Sequence, residues 1–144
     1  MFFIGFVTGA RVNEEGLRYA EGELTLGRDR ERFRSDLGTW STRDYETQWH
    51  EAISRLLSGK SSSVLITSYG GPEAGNHLAW PMWREGPTVC FQKGLLLTEQ
   101  RPRPFDPAMV YDLVGDRRAI DEDGGRLPEW RVSLEQLATF ILDE

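Results

Sequence analysis

The stretch from Ser41 to Tyr69 constrains the fold more than any other, because a helix with signals at both ends runs straight into an apolar strand. Ser41 followed three residues later by Asp44 is a capping-box variant. The serine oxygen accepts from an early helical N–H, and the carboxylate faces the positive end of the helix dipole. Tyr45, Trp49, Ala52, Ile53 and Leu56 then recur at spacings of three and four and share one helical face. Trp40, just before the cap, is placed to staple onto Tyr45. Gly59 ends the helix where a left-handed residue costs least. Val64, Leu65 and Ile66 follow as a short buried strand. A helix over about residues 41–58 laid on one face of a sheet is the minimum two-layer core.

With 144 residues the chain reads as a single domain, 1–144. Its apolar content of 39%, with 11% aromatic, excludes global disorder. Seventeen Lys and Arg against twenty-three Asp and Glu leave a net charge of -6. That balance repels nucleic acid and suits a basic partner, whose encounter long-range attraction accelerates. Cys90 stands alone, so no internal disulfide and no cysteine-rich zinc site is available. Met1–Val7 is apolar but lacks a basic flank, and no run of about eighteen apolar residues exists to span a bilayer. The expectation is a soluble, cytoplasmic protein without membrane contact.

Phe2–Thr8 has strand residue types on both faces, which places it centrally in a sheet. Leu17, Tyr19, Leu24 and Leu26 form a half-buried strand, a candidate hairpin partner of the first. The alternating charges of Arg28–Arg34 read as a solvated edge strand or hairpin. Tyr69–His77 reads as a surface loop. Leu78–Arg84 reads as a strand broken by Pro81, which must sit at an edge or a bulge, followed by strands at Thr88–Gln92 and Leu95–Leu97 in a meander. Met109, Tyr111 and Leu113 alternate as one more strand. Ser133 and Gln136 make a second capping box, opening a C-terminal helix over about 133–142 that docks through Leu134, Leu137, Ala138 and Ile141, with Phe140 beside them. The fold class is α+β: an antiparallel sheet, one helix on its face and a short helix at the end.

Few residues offer chemistry. His77 and Cys90 are a formal base and thiol, the basis of a small-hydrolase alternative, but Cys90 lies mid-strand between Val89 and Phe91, where a cysteine serves as a small apolar side chain. Asp121, Glu122 and Asp123 lack the alternating ligand spacing of a calcium loop, so no metal is expected there. Three consecutive carboxylates do make a concentrated field for docking basic side chains. Trp80 and Trp83 flank Pro81, where an exposed aromatic anchors an interface. No catalytic carboxylate pair, zinc signature or phosphate loop emerges and no cofactor is called for, so the chain reads as a binder. A scaffold subunit pairing by its sheet edge is a third reading, and the oligomeric state stays open.

The order Tyr45-x-x-Gln-Trp49-x-x-Ala-Ile-x-x-Leu-Leu-x-Gly59, then a short apolar strand, then Trp80 to Arg84-x-Gly86 and Val89, resembles the immunity (CdiI) proteins of contact-dependent growth inhibition systems. The likeness runs on through Phe105-Asp106-Pro107, Asp121-Glu122-x-Gly124, Glu129-Trp130 and Phe140, and covers most of the chain from Trp40. It departs at Pro128, where the pattern would carry a serine, so the local turn differs. The resemblance implies a non-catalytic cytosolic protein that binds the CdiA C-terminal toxin domain made by a sister cell, blocking its active site or its access to substrate. Such toxins are often nucleases, which are basic because they bind nucleic acid. Glu73, His77, Trp80, Asp121, Glu122 and Asp123 are the residues expected to face that toxin.

Overall fold

A computed structural model describes residues 1–143. The elements run β1 Phe2–Phe6, β2 Arg11–Val12, β3 Arg18–Leu26, β4 Asp29–Asp36, α1 Thr42–Leu57, β5 Ser62–Ser68, β6 Asn76–Glu85, β7 Thr88–Phe91, β8 Gly94–Leu97, a 3-10 helix Pro107–Leu113, β9 Trp130–Ser133 and α2 Leu134–Leu142. All strand pairs are antiparallel.

The strands divide into two sheets. In the first, β3 is central: β4 pairs along one side of it, and β1 and β2 share the other. β1 is therefore an edge strand and not a central one. Its second apolar face is covered by α2, whose Phe140 ring meets Phe2 edge-on at 5.2 Å and Phe3 at 6.1 Å. In the second sheet β6 is central, with β5 on one side and both β7 and β8 on the other.

That arrangement corrects two expectations. β7 and β8 do not form a meander; they lie end to end along β6, and β9 pairs with β7. Pro81 also sits in a central strand. Its carbonyl accepts from Gln92 N–H, so its missing donor points into the gap between β7 and β8, where no ladder bond is lost. Met109, Tyr111 and Leu113 lie on the 3-10 helix and not on a strand. Asp106 caps that helix by accepting from Ala108 N–H at 2.9 Å, and Pro107 opens it. The Asp-Pro pair overrode the alternation that followed it.

Both capping boxes form as the sequence requires, at Ser41–Asp44 and Ser133–Gln136. Trp40 packs edge-on against Tyr45 at 5.0 Å, and Gly59 takes φ +108 past the end of α1. One core joins the two sheets: Phe2, Ile4, Leu24 and Leu26 from the first, Val64, Leu65, Met82 and Val89 from the second, with Tyr45, Trp49, Ile53 and Leu56 between them.

The helix does more than cover a sheet face. Among the described residues β5 has no partner strand on one edge, and α1 side chains take the place of one. Gln48 Nε2 donates to the Val64 carbonyl at 2.8 Å while its Oε1 accepts from Ile66 N–H at 2.9 Å. Trp49 Nε1 donates to the Ile66 carbonyl at 2.7 Å. Tyr45 Oη accepts from Tyr69 N–H at 2.8 Å and donates to the Asp36 carbonyl at 2.6 Å. Burial pushes that phenol up to about 12, so it stays protonated and able to donate. Replacing Gln48 with Leu strands one buried donor and one buried acceptor, each at about 1–3 kcal/mol. Gln48→Leu is expected to fall several kcal/mol below wild type in chemical denaturation; a loss under 1 kcal/mol would mean that water replaces the amide.

Candidate functional site

The one thiol and the candidate base are far apart. Cys90 pairs with Trp83 across β6 and His77 lies six residues earlier on that strand, a separation of about 20 Å. Both side chains are buried. His77 Nδ1 accepts from Gly70 N–H at 3.1 Å, Nε2 lies 3.4 Å from Thr98 Oγ1, and the ring sits between Tyr69 and Phe105. Burial, and then the nearby Arg103 charge, lowers its pKa, which keeps the ring neutral as an acceptor for Gly70. It latches the 70–75 loop. Burial pushes the Cys90 thiol up, reinforced by the Glu129 carboxylate that accepts from Sγ at 3.2 Å.

Glu129 is the hub of a polar cluster that local sequence reading missed. Arg117 grips it through Nε and Nη2, both at 2.6 Å, and Gln92 Nε2 adds a third bond at 2.8 Å. The Arg117 bonds hold the carboxyl down to about 2, and the guanidinium is raised in turn. Glu85 joins Arg117 at 3.5 Å and Arg131 at 3.2 Å. Gln92 also bonds the Arg118 carbonyl, which ties the 114–129 segment to the second sheet. Twelve residues separate Arg117 from Glu129, so no local periodicity links them.

From that clamp a short hairpin projects, closed by the Ile120–Arg126 bridge. Asp121 Oδ1 accepts from Asp123 and Gly125 N–H groups at 2.9 and 2.8 Å, so Asp121 shapes the turn while Glu122 and Asp123 stay free and exposed. A hollow of about 420 Å³ at its base is lined by Arg117, Arg126 and Arg131 besides Glu129. The surface around the hairpin carries both signs.

Glu73 is exposed, but His77 and Trp80 are each 2% exposed, which corrects their assignment to a binding surface. Trp80 packs edge-on against Trp130 at 5.3 Å inside the core. The Glu73 loop is pinned by Arg103 on the Ala74 carbonyl at 2.7 Å and by Phe105 N–H on the Pro72 carbonyl at 3.0 Å. It leaves from the Asn76 end of β6, whereas the Arg117–Glu85 bridge holds the hairpin stem at the Glu85 end, about 30 Å away along the strand. The six expected residues do not form one patch.

Next to the Glu73 loop lies a groove that the sequence did not mark. Trp40, Asp44, Gln48 and Glu51 line one wall, and Asp106, Ala108 and Tyr111 the other, around about 270 Å³. Asp44 and Glu51 are two helical turns apart and so share a face, a signal that was available but overshadowed by the apolar stripe opposite.

Residues 35–140 match the family model described as the CdiI N-terminal domain. The chain belongs to the CdiI family. It is 26% identical over 136 residues to a protein of Enterobacter cloacae subsp. cloacae described as "Immunity protein CdiI", an alignment covering 94% of this chain and 93% of that one. Among solved structures it superposes on a chain of the "CdiA-CT/CdiI toxin and immunity complex from Enterobacter cloacae" with a TM-score of 0.89 at 24% identity, over 99% of this chain and 97% of that one. The α+β fold expected from the sequence is therefore the fold of a solved relative. Within this CdiI chain the Arg117–Glu129 clamp and the groove are two built features of the described surface.

The clamp has a definite acid signature. Glu129 sits near 2 in the folded chain against an ordinary 4.5, so its contribution is full above about pH 4.5 and disappears as pH falls through about 2. The stability difference between wild type and Glu129→Gln should close over that window in pH-dependent denaturation; a constant difference would show that the charge does not matter. Cys90 should resist iodoacetamide at pH 7 until the chain unfolds; fast labelling of the native protein would restore a reactive thiol.

Proposed function

We propose that this chain is an immunity protein: it binds the C-terminal toxin domain of a CdiA effector and neutralises it by covering the active site or the path to it. Membership of the CdiI family over residues 35–140 carries the reading. The likeness in fold and sequence to a protein described as an immunity protein supports it, as does the toxin complex in which the structural match is found. A net charge of -6 suits a basic toxin, and a nuclease is the class that such a charge complements best. The chain acts by binding alone, in the cytoplasm, where an incoming toxin would meet it. The separation of Cys90 from His77 supports a non-catalytic role. No described helix is long and apolar enough to cross a membrane. Of the six residues expected at the interface, Glu73, Glu122 and Asp123 present free exposed carboxylates.

The test is to express the C-terminal few hundred residues of the open reading frame immediately upstream, with and without this chain. The fragment alone should stop growth; co-expression should rescue it, and the two should co-purify with an affinity that falls as salt rises. A harmless fragment, or a toxic one that neither binds nor is rescued, would refute the immunity reading.

A further inference from the structure

Exposed carboxylates cluster in the groove between α1 and the 3-10 helix and at the tip of the hairpin, two candidate seats for an anchoring contact. We infer that the groove between α1 and the 3-10 helix is the seat for one arginine or lysine side chain of the basic toxin, an inference that rests on the immunity reading above. Three features of the groove point to a cation. Asp44, Glu51 and Asp106 line it, and no Lys, Arg or His does so among the described residues. Two of these carboxylates are positioned in advance by caps: Asp44 Oδ2 accepts from Ser41 N–H at 2.9 Å, and Asp106 Oδ1 accepts from Ala108 N–H at 2.9 Å. Each therefore keeps its second oxygen for a partner, and neither has to be ordered when the partner arrives.

The walls complete the match. Trp40 and Tyr111 supply aromatic surface for a guanidinium or an ammonium stem. Tyr111 already takes part in such a contact inside the chain, with the Arg55 guanidinium 4.0 Å from its ring centroid. The Tyr111 phenol is pushed up to about 12 by burial, with the Glu51 charge acting in the same direction, so the ring stays neutral and does not compete with the carboxylates. Gln48 ties this wall to the β5 edge, since its Nε2 lies 3.2 Å from Tyr111 Oη while it also bonds Val64. The seat is thus rigid, concave, acidic and part aromatic, the setting in which a single arginine serves as an interface hot spot. The hairpin turn differs on each count: its free carboxylates Glu122 and Asp123 project from a tip, and arginines line the hollow beneath.

Glu51 and Ala108 are exposed, and their side chains hold no part of the fold through a hydrogen bond among the described residues, so both can be changed without disturbing it. Affinity for the upstream-encoded toxin domain is measured by calorimetry for wild type, Glu51→Lys, Ala108→Trp and the hairpin double variant Glu122→Lys/Asp123→Lys, with melting curves to confirm folding. Glu51→Lys, which sets a like charge against the incoming cation, should weaken binding by at least about tenfold and flatten its salt dependence. Ala108→Trp should weaken binding by filling the seat, and the hairpin variant should stay within about threefold of wild type. Wild-type affinity in both groove variants, with a loss in the hairpin variant, would overturn the groove while leaving the immunity reading intact. A wild-type chain that fails to bind the toxin at all would overturn both.

Discussion

The structure depends on how the open edge of β5 is satisfied. A strand edge buried in a core leaves donors and acceptors that cost stability unless something meets them. Here Tyr45, Gln48 and Trp49, all on the first two turns of α1, reach Tyr69, Val64 and Ile66 in place of a neighbouring strand. Packing and hydrogen bonding therefore share the same side chains. The helix cannot rotate or slide along its axis without breaking both, which fixes its register against the second sheet. Tyr45 also bonds the Asp36 carbonyl at the end of β4, and Ser35 Oγ donates to the Thr67 carbonyl, so the same seam joins the two sheets.

The surface features follow from that seam. With α1 locked, its outer face presents Asp44 and Glu51 at a set height, and Gln48 passes the constraint on to Tyr111 in the 3-10 helix. The Glu73 loop is held beside it by His77, a neutral ring whose acceptor nitrogen meets Gly70 N–H. At the far end of β6 a different device operates. There Arg117 and Glu129 form a two-bond ion pair, reinforced by Gln92, that anchors a segment with little regular structure of its own. The Asn76 end of β6 is ordered by the neutral His77 latch and by Arg103 on loop carbonyls, the Glu85 end by an ion pair between side chains.

Reading the sequence succeeded where the signal was local. The two capping boxes, the stripe from Tyr45 to Leu56, the Trp40 staple and the Gly59 terminator all concern residues within a few positions of each other, and helical geometry converts such spacing directly into contacts. It failed where pairing was distant. The end-to-end placement of β7 and β8, the edge position of β1 and the burial of His77 and Trp80 are all set by which strand lies beside which. Alternation says that a residue faces one side of a sheet, not whether that side is covered. Pro81 shows the same limit: proline bars a ladder bond, and only the break between two neighbours makes a central position tolerable.

By itself the sequence determined the helices, their ends, the acidic charge and, through ordered short motifs, membership of the CdiI family, because each is written in neighbouring residues or in composition. The tertiary structure alone decided that the strands form two sheets, that Glu129 finds Arg117, and that Asp44, Glu51 and Asp106 surround one groove. Those facts join residues from separate elements. The free energy that joins them comes from burying a shared core and satisfying a shared edge, and neither exists until the whole chain has closed around α1.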